Sequence, residues 1–411
     1  MNGWEWRTDL RHLKLMPWQW LAPGRWRAAW IGWRAKRVPD PVARLRLLRQ
    51  SLEGDRSGRA SRPSLRGIRA VAGAVAVVMA LAPLGAVRDH PAEQAVREPL
   101  PVAAPARAER RVAPDVWMVD QQPGYELYSN GLRVEREYET AHEPRLYEVY
   151  ARGREEDGPV EERTEPAGIV FHSTESAMAE FRADQAARLK LLGRYLLQYV
   201  REERAYHYLI DRFGRVWRIV READAANHAG YSLWADDRWT YINLNRSFLG
   251  VSLEGRSGDP GGGQEPLTRG QEHALRLLTE MLRVRYSIAA VNCVTHAQVS
   301  INPSNRQAGY HYDWASGFPY AAIGLPDNYL VPLPSAWLFG FTLDSSMLRL
   351  ASEPFRNGLQ LGQDRFRQSA AGRGMDVELY AQARHRVLRR MLARLKANAE
   401  PPPEFSARGS Q

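Results

Sequence analysis

Cysteine is nearly absent. Cys293 stands alone among 411 residues, which excludes an intrachain disulfide framework and leaves the redox compartment unreadable. No internal repeat occurs, so nothing suggests a solenoid or array. The net charge of +10 suggests a nucleic-acid binder until it is located. Residues 1–69 hold 16 Lys/Arg against 5 Asp/Glu, a local +11 that leaves the rest of the chain at −1. The main body has no basic surplus, and no nucleic-acid partner is expected for it. Its hydrophobic content of 44% is ordinary for a globular protein, and its length suits two or three domains.

What the N-terminal part does have is a basic, Trp-rich segment followed by an apolar run. Residues 70–87, AVAGAVAVVMALAPLGAV, carry no charge and are bounded by Arg69 and Arg88. At about 1.5 Å rise per residue such a run just crosses a thin hydrocarbon core, so it is expected to be a single transmembrane helix. Arg62, Arg66 and Arg69 crowd its N-terminal side, which predicts a cytoplasmic N-terminus, inner-membrane attachment and an exported C-terminal portion. A cleaved signal and a buried apolar helix are the alternatives; 69 preceding residues are too many for a signal n-region. Seven of the thirteen tryptophans lie among the arginines of residues 1–69. That pairing suits an anionic membrane surface, or equally a poorly ordered tail that only sets topology. Residues 88–115, rich in Pro, Ala and charge, read as an extended linker.

Residues 116–165 alternate loosely around the turns QQPG and SNG, as short strands do. In residues 166–325 the signals are stronger. EPAGIVFHSTES is an apolar strand ending at His172, after which Ser173 or Thr174 can cap a helix. Leu189, Leu192, Leu196, Leu197 and Val200 follow at helical spacing. AYHYLIDRFGRVWRIV reads as a β-hairpin, SFLGVSLEG as a buried strand, and 269–286 as an amphipathic helix. IAAVNCVTH is another strand, ending at His296. The expected fold class is α/β (α+β): a mixed central β-sheet flanked by helices, preceded by the transmembrane helix and followed by a small helical C-terminal region, residues 326–398. Residues 399–411 read as a disordered tail. The oligomeric state is not legible.

Two strand-end histidines can converge at one sheet edge. Catalytic zinc needs three imidazole or carboxylate ligands and an open fourth position, with a neighbouring group to move protons. His172, Tyr206, His228, His296 and His311 all lie near predicted strand ends or in loops. Each alone is as readily a structural residue.

The blocks FHST, YHYLIDRFGRVWRIV, NHAG, NRSFLGVSLEG, THAQVS and GYHYDW, in that order, resemble the zinc-dependent N-acetylmuramoyl-L-alanine amidases of type 2, whose superfamily includes the peptidoglycan recognition proteins. The resemblance covers about residues 166–321. It implies Zn2+ as cofactor, peptidoglycan or muropeptides as partner, and hydrolysis of the amide between the lactyl group of N-acetylmuramic acid and L-alanine. By the same resemblance His172 and His296 match zinc histidines, and Tyr206 a tyrosine that assists catalysis. His228 and Asn227 match a loop lining the substrate groove.

The sequence departs from the family twice. Relatives place a basic residue and an Asp or Cys ligand about eight to ten positions after the second histidine, where this chain reads NPSNRQAG. His311 is therefore expected to complete the metal site, with Asp313 as runner-up and an incomplete site as a third outcome. Arg306 is the candidate for the missing basic residue. Several relatives also carry a glutamate where Ser252 stands; Glu254, two residues on and so on the same strand face, is the expected general base, or else an ion-paired strand-end carboxylate. The rivals are a non-catalytic peptidoglycan-binding module and an amide hydrolase for another exported substrate.

Overall fold

A computed structural model describes residues 115–257, 266–302 and 305–399, all within one compact unit, Pro101–Gln411. The apolar run 70–87, the Trp/Arg-rich segment, nearly all of the linker and the C-terminal tail lie outside the described residues. Among the described residues no helix is long and apolar enough to cross a membrane.

Fifteen strands are described. In chain order the first six are β1 (Met118–Gln122), β2 (Tyr125–Tyr128), β3 (Arg133–Glu135), β4 (Tyr147–Ala151), β5 (Pro159–Arg163) and β6 (Gly168–Ser173). After helix α1 (Ala186–Glu202) come β7 (Tyr208–Ile210), β8 (Val216–Arg218), β9 (Leu233–Ala235), β10 (Trp239–Ile242) and β11 (Phe248–Leu253). Helix α2 (Arg269–Arg285), β12 (Cys293–Thr295) and the hairpin β13 (Ile301–Asn302) and β14 (Gln307–Ala308) follow. Beyond it lie α3 (Pro334–Phe339), β15 (Thr342–Leu343), α4 (Ser345–Leu350), α5 (Glu353–Ala371) and α6 (Val377–Ala399).

The main sheet has the order β1-β2-β3-β8-β7-β11-β6-β12 and is mixed, as expected. Its centre is parallel: β6 lies between β11 and β12, with Ser252 opposite His172 and Thr295 opposite Phe171. Parallel strands buried on both faces need continuous apolar runs, and β6 is buried at every position. Ile169, Phe171, Val251 and Cys293 face α2 and the C-terminal helices. Val170, Phe248 and Val294 face a second sheet, β5-β4-β10-β9, through Tyr147, Trp234 and Tyr241. All-round burial also pushes the Cys293 thiol up to about 12, so it is no thiolate donor.

One local reading differs from expectation. Ser173 caps no helix: it ends β6, Glu175 has a left-handed φ of 49°, and α1 begins only at Ala186. The extension 116–165 forms short strands, of which β1–β3 continue the main sheet and β4–β5 the second. The C-terminal region, expected to be helical, holds besides α6 the helix α5, whose Gly358 and Gly362 let it approach the backbone of Tyr329, Val331 and Leu333. Helix α2 starts where expected, at a capping box: Gln271 N donates to Thr268 Oγ1 (3.1 Å) and Thr268 N to Gln271 Oε1 (3.2 Å).

Gly168 opens β6 beneath Phe248, where an added Cβ would stand 2.3 Å from the ring and 2.4 Å from Asn292 O. Gly168→Ala is therefore expected to cost about 1–3 kcal/mol by overpacking, with the loss appearing in the midpoint of urea unfolding. An unchanged midpoint would mean that the strand yields.

Candidate metal centre

The carboxyl ends of parallel strands are where open α/β sheets present loops to ligands, and the site lies there. His172 is the fifth residue of β6; His296 follows β12 at the start of a helical turn, His296–Val299. That turn is fixed by its own capping box, Thr295 with Gln298. Gln298 Nε2 donates to Asn328 O (2.8 Å), and Asn328 Nδ2 donates to Cys293 O (2.8 Å), so the C-terminal region buttresses the histidine from behind.

The third residue at the centre is Asp313. Its Oδ2 lies 3.1 Å from Nδ1 of both His172 and His296, and the donor atoms of the three residues all lie within 4.8 Å of one another. All three residues are buried. Burial pushes the Asp313 carboxyl up, but the two imidazoles outweigh it and hold the group far below the usual carboxylate range. Burial, and then His296, bring His172 down to about 4, so it is neutral at physiological pH. Two neutral imidazoles and a carboxylate converging on one point are a donor set for a divalent metal, and zinc accepts N and O ligands of this kind. His296 Nε2 is buried with no hydrogen-bond partner.

This geometry differs from the expected ligand set, in which His311 came first. His311 lies outside the group: it is exposed, its ring stacks on His296 (4.5 Å between centroids, 18°), and its N–H donates to Ser300 Oγ (3.0 Å). The reason is the hairpin β13–β14. It takes the chain out after His296 and back again, so that Ala297 N donates to Asp313 O (3.2 Å) although the residues are sixteen apart. A hairpin lengthens the spacing to the ligand without moving either end.

Tyr206 is brought to the site. It sits before β7 in a left-handed conformation (φ 62°), its ring 5.1 Å from that of His172. Burial, then the Asp313 charge, raise its phenol above the ordinary value, so it remains a donor. His228 also arrives, but against His172 rather than facing outward: its Nδ1 lies 3.1 Å from His172 Nε2. Burial and the neighbouring His172 and His207 hold it neutral. His207 lies on the other side, its Nδ1 accepting from Gly250 N (2.9 Å) and its Nε2 2.7 Å from Arg145 Nη2.

The other expected residues are not gathered in. Asn227 is exposed and donates to Glu203 O (3.0 Å). Arg306 is at the hairpin tip (φ 58°), where its carbonyl accepts from Thr342 N (3.1 Å) of the C-terminal region. Glu254 turns toward α1 and accepts from Arg212 N (3.0 Å), with its Oε2 3.7 Å from where a Cβ on Gly193 would stand. Burial raises it to about 6. Ser252, in register with His172, is buried. One organising residue had almost no sequence signal. Asn245 Oδ1 accepts from the N–H groups of His228 (2.9 Å), Ala229 (2.6 Å) and Gly230 (3.1 Å), clamping the NHAG loop.

A mixed sheet that brings two imidazoles and a carboxylate together at its parallel edge offers a donor set that could hold a divalent metal. Residues 162–311 match the family described as N-acetylmuramoyl-L-alanine amidase. The N-acetylmuramoyl-L-alanine amidase AmiD of Escherichia coli (strain K12) is 33% identical over 104 residues, 23% of this chain and 36% of AmiD. The chain thus spans about a third of that relative's length. Among solved structures, AmiD in complex with anhydro-N-acetylmuramic acid-L-Ala-D-gamma-Glu-L-Lys is 25% identical, covering 33% of this chain and 49% of that one, with a TM-score of 0.26. A Pseudomonas aeruginosa AmpDh3 structure is 21% identical, covering 53% of this chain and 89% of that one, with a TM-score of 0.31.

Two outcomes follow. Asp313→Ala should reduce zinc retention by about tenfold or more in chelator competition, whereas His311→Ala should keep it; the reverse result would return the ligand role to His311. Glu254 titrates near 6 when folded against 4.5 unfolded, so its stabilising proton is present below pH 4.5 and lost as pH rises through 6. Glu254→Gln should therefore gain up to about 2 kcal/mol in denaturant unfolding at pH 8 and nothing at pH 4. A loss at pH 8 would show that the carboxylate itself is needed.

Proposed function

We propose that this chain hydrolyses the amide joining the lactyl carboxyl of N-acetylmuramic acid to L-alanine in peptidoglycan or its fragments. The observation that carries this reading is the convergence of His172, His296 and Asp313 within 4.8 Å, inside a segment matching the amidase family. Zn2+ held by these three residues would supply a Lewis acid for the scissile carbonyl and acidify a bound water. Asp313 stays ionised and His172 stays neutral through the physiological range, as ligands must. Tyr206, kept protonated, donates a hydrogen bond to the oxyanion that develops on the former carbonyl oxygen. His311, exposed on the outer face of His296, takes the proton from the attacking water and returns it to the leaving amino group of L-alanine. The products are a lactyl carboxylate and a free stem-peptide amine.

We extend the proposal to location. The positive charge before residues 70–87 supports a cytoplasmic N-terminus, a single inner-membrane span and a domain on the side where peptidoglycan lies.

Ser252 favours a second reading. With a hydroxyl where several relatives carry an acid, and with Glu254 turned to α1, neither of these two strand positions offers a carboxylate base to the site, as suits a module that binds muropeptide without cleaving it.

Incubation with a muramyl peptide and mass spectrometry of the products separates the two. Release of stem peptide, reduced about 10²–10⁴-fold in kcat by His311→Ala, is expected of the amidase, with a smaller kcat loss for Tyr206→Phe. Binding of the same muramyl peptide without any release, in zinc-loaded protein, would establish the module instead.

A further inference from the structure

His228 has its backbone in a loop and its ring in an unusual place. The ring lies over strand β11, against Gly250, where a Cβ would stand 2.5 Å from its Cγ. Three features converge to put it there. Asn245 clamps the loop backbone through three N–H bonds, Gly250 supplies the space, and Phe248 O lies 3.3 Å from His228 Nε2. On the other side of the ring, Nδ1 lies 3.1 Å from His172 Nε2.

Hydrogen-bond chemistry then fixes each proton. A carbonyl oxygen only accepts, so a neutral His228 bonds Phe248 O only by carrying its proton on Nε2. Its Nδ1 is then a bare acceptor, and the group facing it, His172 Nε2, must donate. His172 is left with an unprotonated Nδ1, the nitrogen that lies 3.1 Å from Asp313 Oδ2. Two lone-pair groups at that separation repel each other, and a cation between them converts the repulsion into binding. His296, whose Nδ1 also faces this carboxylate at 3.1 Å, has no such relay on its other nitrogen and is free to donate when no metal is present.

We infer that His228 is a positioning residue: the chain Phe248 O, His228, His172 holds His172 as the Nε2–H tautomer and aims its Nδ1 lone pair at the point faced by Asp313 and His296. The inference rests on the metal-centre reading above and extends it to a residue whose expected place was in the substrate groove. Outer partners of this kind set the tautomer and orientation of a ligating imidazole. Gly250 and Asn245 then serve the metal indirectly, by making room for His228 and by holding its loop.

The test uses the full chain with ¹⁵N-labelled histidine, as wild type, His228→Asn and His228→Leu. Asparagine keeps a side-chain acceptor close to the imidazole Nδ1 position; leucine keeps bulk but no acceptor. In metal-free wild type, the His172 ring should show a protonated Nε2 and an unprotonated Nδ1, assigned by loss of its signals in His172→Gln. In His228→Leu that preference should be lost and zinc affinity should fall about 10–100-fold in chelator competition. His228→Asn should restore most of both. An Nδ1-protonated His172 in the wild type, or a folded His228→Leu that holds zinc as tightly as wild type, would overturn the inference. Should the leucine variant fail to fold, the wild-type tautomer and the asparagine variant decide. Failure of the wild type to bind zinc at all would instead defeat the metal-centre reading, since the metal-free tautomer is read independently.

Discussion

A single carboxylate, Asp313, lies between two buried imidazoles. Burying an ionised carboxylate costs several kcal/mol unless charge or hydrogen-bond donors surround it. Here the surroundings are the Nδ1 atoms of His172 and His296, at 3.1 Å each. The relay proposed through His228 would leave His172 with no proton to offer Asp313, and a cation held at this point would complete the compensation. The local fold can be understood as the apparatus that tolerates this arrangement: a fully buried parallel strand delivers His172, a capped helical turn delivers His296, and a hairpin returns Asp313 to both.

The apparatus needs rigid support, and much of it is polar. Arg145 is fully buried, and burial lowers it to about 10. It is retained because it donates to the carbonyls of Glu222 (3.0 Å), Asp224 (3.1 Å) and Arg246, and sits against His207. These carbonyls belong to the segments on either side of the NHAG loop and before β11, so the guanidinium staples together the pieces that place His228. From the opposite side, Asn328 and Gln298 tie the C-terminal region to the turn bearing His296. The helical region after residue 325 thus takes part in forming the centre.

Much of this was legible in the sequence, and the failures have physical causes. Apolar runs ending in His172 and His296 marked two parallel strands correctly, because strands buried on both faces leave no other pattern. The hairpin DRFGR was legible because turn chemistry is local, and helix α2 because its apolar period is. Which residue joins the two histidines was not, because it depends on where the chain returns after β13–β14, and spacing along the sequence does not encode that. Face parity likewise could not show that Glu254, past the end of β11, swings to Arg212 instead of following Ser252. Helix α5 was hidden by Gly358 and Gly362, which count against a helix until the close approach of the Tyr329–Leu333 backbone explains them.

Ser252 can be understood in the same electrostatic terms. A carboxylate at that position, in register with His172, would stand beside the Asp313 charge in a poorly solvated pocket, and like charges so placed force one group to take up a proton. With serine there, no second carboxylate competes with Asp313 from that strand position, and Asp313 stays ionised where His172 is neutral. The consequence for the proposed chemistry is that proton handling moves outward, to Tyr206 and His311. Tyr206 stays protonated and donates, so accepting falls to the exposed imidazole of His311. On this reading the chain keeps a metal centre of the family's kind while exchanging a buried carboxylate base for a solvent-facing imidazole.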